Sequence, residues 1–305
     1  MTFVKKQKSA LFSLRTTGII QIILSGICFG SLGIFGKTAY KHNISPGELL
    51  SLRYLVSAIL MAIFIFATKP KTFFSLSAFE VISSLLLGIF GYALFSSLYF
   101  TALTGLSASL TVLLFYTYPM MIVLFSRLFL KEKIEPLCMI ALTLVSIGLV
   151  GLVWGEWKIG RPLFLMFGIG SAFFYALYII LSQKYLSKTS PILFSFYVQL
   201  GAGTILSLIH FSSHPSRAFE IFSNYYGLLL AMSFLCSVLA MTLFLAGLQK
   251  VSLAEASLFS TTEPIFGVIF AIIFLGEKIQ IIHFVGGVFI LIGLILISLR
   301  KVSHS

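Results

Sequence analysis

The chain has 305 residues, of which 59% are apolar and 10% charged, with a net charge of +12 and a mean hydropathy of +1.07. A soluble domain cannot hide that much apolar surface, so the composition excludes a soluble enzyme and describes a protein embedded in lipid. All nine acidic residues are glutamate, which removes aspartate-built devices such as an EF-hand calcium loop, a Walker B carboxylate or a Ser/His/Asp triad.

Ten apolar runs of near-spanning length follow one another along the chain, and α-helices are expected throughout, because backbone groups in lipid must be satisfied within their own segment. The first, 17–40, comes after Lys5, Lys6, Lys8 and Arg15 and reads as a retained helix rather than a cleaved signal. Its Gly26, Gly30 and Gly33 share one face, the small-residue pattern that lets helices approach closely. The near match to a phosphate loop at Ser31 to Thr38 lacks its first glycine and a preceding strand, so nucleotide hydrolysis is discounted. The second run, 46–68, carries Arg53 about 10 Å inside its start, where it either snorkels outward or meets an anionic solute group. The third, 79–101, contains Tyr92. The fourth, 107–129, has Pro119 near its middle, and the fifth, 136–154, repeats the small-residue face with Gly148, Gly151 and Gly155.

The second half continues in the same manner. Tyr175 and Tyr178 lie in the sixth run, 162–182, and Gln199 in the seventh, 191–211; taken one at a time, each of these polar or aromatic residues is helix glue or a ligand contact. His210 and His214 have metal-ligand spacing but sit among serines before Pro215, so no metal site is expected. The eighth and ninth runs are 225–245 and 253–275, and the ninth contains Glu263 followed by Pro264. The tenth is 280–299. Cys28, Cys138 and Cys236 all fall inside apolar runs and read as small buried residues. The Asn43-Ile-Ser45 acceptor pattern is followed by proline and is uninformative.

Lysine and arginine distribute unevenly between alternate loops, with fourteen on the side of the N-terminus, so both termini are expected in the cytoplasm. Sliding the sequence by 145 positions superimposes Pro119 on Pro264, Pro46 on Pro191, Pro70 on Pro215 and Leu130-Lys-Glu-Lys-Ile134 on Leu275-Gly-Glu-Lys-Ile279. Each half holds five spans, an odd number, so the second inserts the opposite way. The expected fold is all-α and integral to the membrane, with ten transmembrane helices in two inverted five-helix repeats. The boundaries are a tail at 1–16, repeats at 17–155 and 161–299, and a second tail at 300–305.

Six prolines stand near span ends; Pro119 and Pro264 do not, and each removes a helical hydrogen bond, freeing the carbonyls of Phe115 and Ser260. Repeat-related helix breaks are the best sequence pointer to a carrier's binding site, although a packing kink is the plain alternative. Glu263 is the acidic residue farthest from a span end, and burying it costs about 2.5–3.5 kcal/mol on insertion scales. It either binds a cationic solute group, cycles through protonation, or is a structural hydrogen-bonded acid. Ala256, Ser260, Glu263 and Gly267 form one small, polar stripe, and Ser107, Thr111, Phe115 and Tyr118 form the matching one, with Tyr118 as the repeat mate of Glu263. Both stripes are expected to face a cavity between the halves.

Two five-helix halves, each with a proline-broken fourth helix, an FLxEKI run (129–134 and 274–279) and a glycine-containing last helix, together with Gly26-Ile-Cys-Phe-Gly30 and Glu263-Pro264, resemble the EamA family of the drug/metabolite transporter superfamily. The resemblance implies a carrier without cofactor, with a central cavity lined by the first four helices of each half and the fifth and tenth peripheral, at a homodimer contact. It further implies alternating access by rocking of the halves. The expected function is secondary transport of a small polar or amphipathic, amino-acid-like solute across a bacterial inner membrane, with export as one direction. The partners are solute and lipid, not nucleic acid. An S-adenosylmethionine or nucleoside importer is the alternative within transporters, and a membrane-embedded lipid-modifying enzyme the alternative outside them, for which His283 lacks evident partners.

Overall fold

A computed structural model describes residues 2–68, 70–73, 76–106, 108–130, 135–152, 154, 162–186, 189–275 and 280–299. Ser107, Gly155, most of both FLxEKI runs, and the loop cations Lys69, Lys131, Lys133, Lys158, Arg161, Lys188, Lys278, Arg300 and Lys301 lie outside the described residues.

Among the described residues the regular structure is helical. Ten apolar segments follow in order: α1 (Ser13–Lys41), α2 (Pro46–Thr68), α3 (Ala78–Gly105), α4 (Thr111–Phe129), α5 (Pro136–Leu152), α6 (Pro162–Leu186), α7 (Pro191–Phe211), α8 (Pro215–Leu248), α9 (Leu253–Phe274) and α10 (Ile281–Ser298). Nine are long and apolar enough to cross a membrane, while α5 is apolar but shorter. Proline starts α2, α5, α6, α7 and α8, where its missing N–H belongs to the unpaired first turn anyway. Ser77 with Glu80, and Ser252 with Glu255, close reciprocal capping boxes at the starts of α3 and α9.

The eighth segment is longer than its apolar core suggests. It begins at Pro215 and bends at Tyr225, whose φ of −129° is not helical. The polar turn ahead of that bend is held by Arg217, whose guanidinium pairs with Glu48 of α2 at 3.2 Å and Glu220 at 3.0 Å. The helix thus begins ten residues ahead of the eighth apolar run at 225.

Packing follows the repeat. The helices pair as α5 with α10, α2 with α7, α1 with α8 and α9, α6 with α3 and α4, and α3 with α7 as α2 with α8. Exchanging each helix for the one five places away maps every one of these pairs onto itself or onto another. Backbone irregularities obey the same exchange. A wide π turn occupies Leu87–Ala93 of α3 and Phe234–Leu239 of α8, while α4 is interrupted at Tyr116 and Thr117, and α9 at Ser260 and Thr261. Near the start of α1, Arg15 donates to the carbonyls of Ile297 and Ser298 at the end of α10, so both ends of the described helices lie on one face.

Two three-helix bodies result, α1/α8/α9 and α3/α4/α6, bracketed by the α2–α7 and α5–α10 pairs. Glycine sets the α5–α10 approach. A Cβ on Gly286 would stand 2.5 Å from the Gly148 carbonyl oxygen and 2.7 Å from the Gly151 carbonyl carbon, whereas one on Gly287 would meet nothing nearer than Leu152 Cδ1 at 3.9 Å. Gly286→Ala is therefore expected to cost about 1–3 kcal/mol through overpacking and Gly287→Ala to be neutral, read as the thermal midpoints of the two variants in detergent; equal midpoints contradict this packing.

Candidate functional site

A cavity of about 440 Å³ opens between the two three-helix bodies, within the size range of sites for small organic ligands. Its walls come from Phe29 to Tyr40 of α1, Arg53 and Tyr54 of α2, Tyr92 to Leu103 of α3, Val112 to Tyr116 of α4, Tyr175 of α6, and Glu263 to Ile272 of α9, with Leu152, Trp154 and His283 at the rim. All of these lie in the central part of a helix or in the half remote from the N-terminus, so the cavity opens on the face opposite both termini.

Arg53 is 2% exposed and does not snorkel outward. Its Nε donates to Ser237 Oγ and its Nη2 to the Cys236 carbonyl, both at 2.7 Å. Cys236 belongs to the π turn of α8, where the wide register leaves a carbonyl free to accept from a side chain. The guanidinium also lies 5.2 Å from the Tyr54 ring centroid, a cation–π distance. Arg53 is thus pinned on one side and borders the cavity on the other.

Glu263 follows the break in α9 and lines the same cavity. The break is closed tightly: Ser260 donates its N–H to Ala256, and its carbonyl accepts from the Glu263 N–H at 3.0 Å. The carbonyl that Pro264 was expected to free is therefore reused one residue early. The Glu263 side chain shares this cavity with Tyr116 and Arg53. Aromatic rings fill the space around the two charges: Tyr92 lies 5.2 Å from Tyr54 and 5.0 Å from Phe95, and Tyr175 lies 4.6 Å from Phe95 and 5.1 Å from Phe115.

The residues singled out from sequence separate into groups. Glu263, Pro264, Arg53, Tyr92 and Tyr175 line the cavity. Tyr118 and Ser260 do not; their hydroxyls hydrogen-bond to each other beneath it, joining α4 to α9 as a floor. Each polar stripe therefore faces the cavity along one half only, Phe115 on α4 and Glu263 with Gly267 on α9, because the helix breaks interrupt the stripes and the lower halves pack together. Thr111 and Ala256 are fully buried, and Pro119 is buried outside the lining. Gln199 is buried behind Arg53, its Nε2 reaching the Ser237 carbonyl at 3.3 Å and its Oε1 unpaired. Tyr178 packs on Tyr92 from outside at 5.3 Å.

Several wall residues carry no sequence signal of their own. Tyr54, Tyr99 and Lys37 have the spacing of ordinary span residues, and Tyr116 is marked solely by adjoining the α4 break. His283 does have a partner: one ring nitrogen lies 2.8 Å from the Trp154 carbonyl oxygen, tying α10 to the end of α5 at the rim.

Residues 16–154 and 163–299 each match the family model described as the EamA-like transporter family. A Bacillus subtilis (strain 168) protein described as the uncharacterized transporter YcbK is 25% identical over 90% of this chain and 91% of its own length. An uncharacterized inner membrane transporter of Salmonella typhimurium, YicL, is 23% identical over 92% and 95%. A protein of known crystal structure superposes with a TM-score of 0.74 over 96% of this chain and 97% of its own, at 16% identity, and shares the fold.

Removing the Arg53 guanidinium leaves Ser237 Oγ and the Cys236 carbonyl without their donor, at a cost of about 1–3 kcal/mol for each buried polar atom stranded. Arg53→Ala is expected to lower resistance to unfolding in mixed micelles, and Arg53→Lys, which cannot span both acceptors as a fork, to fall between it and the wild type. Unchanged resistance for Arg53→Ala would show that the pairing is not structural.

Proposed function

The chain belongs to the EamA-like transporter family, and on that footing we propose that it is a secondary carrier for a small amphipathic solute bearing both an ammonium-like and a carboxylate-like group, moved by alternating access. It is an integral membrane protein, and its relatives are named as transporters. One observation carries the finer reading: Arg53 and Glu263, opposite in charge, border one chamber of about 440 Å³, with Lys37 near its mouth and a mixture of aromatic and aliphatic side chains making up the rest of its walls.

Burying one charge in a membrane protein calls for a partner. Here each fixed charge has room in front of it, and a solute carrying the complementary pair answers both at once. Its carboxylate pairs with the guanidinium as a planar acceptor, and its ammonium sits between the Glu263 carboxylate and tyrosine rings whose faces attract cations. The apolar remainder of the solute is held by the Phe95 and Phe115 side of the chamber. With the two halves inserted in opposite directions and both termini cytoplasmic, the open mouth faces the outside of the cell. The pseudo-twofold exchange of helix pairs supports a cycle in which the α1/α8/α9 and α3/α4/α6 bodies rock between two arrangements related by that pseudo-twofold.

The test is uptake by proteoliposomes of labelled amino-acid-like solutes beside analogues lacking the ammonium or the carboxylate. Zwitterions are expected to move fastest, and Glu263→Gln and Arg53→Gln each to lower their rate by about 10-fold or more, the worth of one charge-assisted hydrogen bond. Transport of singly charged analogues at the same rate, unaffected by either substitution, refutes the charge-pair reading.

A further inference from the structure

The bonds inside the α1/α8/α9 body differ in kind from those that join it to the α3/α4/α6 body. Within it, the Arg15 guanidinium pairs with the Glu255 carboxylate at 2.7 Å in a nearly buried ion pair, Lys250 Nζ donates to Gln21 Oε1 at 2.7 Å, and Ser25 donates to the Ala240 carbonyl at 2.7 Å. A buried ion pair is lost at great cost, so these helices move as one piece.

Between the bodies the described hydrogen bonds are neutral, and they sit on the face opposite the cavity mouth. Gln249, just beyond the end of α8, donates through Nε2 to the Leu186 carbonyl at the end of α6, at 2.7 Å, and to the Thr189 carbonyl in the connection to α7, at 3.0 Å. Tyr118 and Ser260 join α4 to α9 above it.

The repeat shows what the corresponding places do at the mouth. Shifting by 145 residues carries Gln249 to Thr104 at the end of α3 and Leu186 to Lys41 at the end of α1. There the contact is not made: Thr104 turns its hydroxyl back to the Thr101 carbonyl of its own helix at 2.8 Å, and the cavity opens between Leu103 of α3 and Tyr40 of α1. The same shift carries the Tyr118–Ser260 pair to Glu263 and Phe115, which line the open chamber.

We propose that Gln249 is the latch of the face that bears the termini: by bridging α8 to the end of α6 it holds the cavity-open state, and its loss shifts the carrier toward the opposite state, in which the α1 and α3 ends close the mouth. Tyr118 acts as a second, deeper latch on the same equilibrium. A bond made in one state and absent from the other biases the population by its differential free energy and by nothing else. The inference rests on the carrier reading, since a rigid binding protein has no second state to populate.

Two cysteine reporters read the equilibrium without any solute. Gly33 borders the cavity, and a side chain there has no atom within 4 Å, so Gly33→Cys reports an open mouth. Ser126 lies two turns beyond Tyr118 on α4, buried, with its hydroxyl unpartnered, so Ser126→Cys reports opening of the other face. Each is placed in a chain whose Cys28, Cys138 and Cys236 are replaced by serine, reconstituted in nanodiscs and labelled with a charged maleimide.

Gln249→Ala is expected to raise the Ser126→Cys rate by about 10-fold or more while lowering the Gly33→Cys rate, the reciprocal change of a two-state shift. Tyr118→Phe is expected to move both reporters in the same directions, so a folding failure of one variant leaves the other as a test. Rates unchanged in both variants, or both reporters speeding up together as in general loosening, overturn the latch. Reciprocal labelling without any solute uptake retires the carried-solute reading and leaves the latch standing, whereas uptake with unmoved reporters does the reverse.

Discussion

The fold turns on one requirement, that every backbone group and charge carried into the membrane be answered from within the protein. Arg53 is the severest instance. Its position on α2 is tolerated because the π turn of α8 presents the Cys236 carbonyl and the Ser237 hydroxyl at 2.7 Å each, and a hydrogen bond from a charged donor is worth about 1.5–3 kcal/mol, enough for two of them to offset the roughly 2.5–3.5 kcal/mol insertion cost. The π turn is thus the acceptor that makes a buried cation admissible. Irregular backbone elsewhere obeys the same logic: the breaks in α4 and α9 fall where those helices pass from cavity wall to packed floor.

A hierarchy of strength follows from where water reaches. Within the α1/α8/α9 body the helices are joined by an ion pair and by glycine contacts, as where Gly26 receives Thr262 and Gly30 receives Phe266 across α1 and α9. The two bodies are joined to each other by neutral hydrogen bonds, from Gln249 to the Leu186 and Thr189 carbonyls and between Tyr118 and Ser260. A neutral bond at a boundary that hydrates on opening is exchanged for a bond to water at little net cost. An ion pair buried within a body has no such exchange available while the body stays packed.

The sequence carried the frame of this arrangement because the frame is repetitive. Proline at helix starts, the 145-residue register and the isolated Glu263-Pro264 pair each follow from a local rule, and the α3 and α8 π turns and the α4 and α9 breaks fall within two residues of the same register. The finer placement was not legible for identifiable reasons. A helical stripe presumes a continuous helix, and the turn at Tyr116 and Thr117 voids that presumption, so Phe115 faces the chamber while Tyr118 seals beneath it. Whether Arg53 turns outward or inward depends on a π turn 184 residues away, which no spacing announces. Tyr54 and Tyr99 are lost among aromatics that make up 15% of the chain. The polar turn at Arg217 and Glu220 lies ahead of the apolar run at 225 and is held by Glu48 on another helix, a contact no local pattern announces.

Exact repetition would leave the two faces of such a carrier equally ready to open, so the state observed is written in the places where the repeats differ. Tyr118 and Glu263 are mates, as are Phe115 and Ser260. On the closed side the pair is two hydroxyls, which satisfy each other in a dry contact. On the open side the pair is a carboxylate and a phenyl ring, which cannot do so: pressing an ionised acid against an apolar ring strands its charge, and the cost of an unpaired buried charge far exceeds that of a lost neutral bond. On the carrier reading proposed above, that cost works against closure on the side of Glu263. On the same reading, a cationic group seated against Glu263 would remove that penalty, so the residue proposed to bind the solute would also oppose closure of the mouth before the solute arrives.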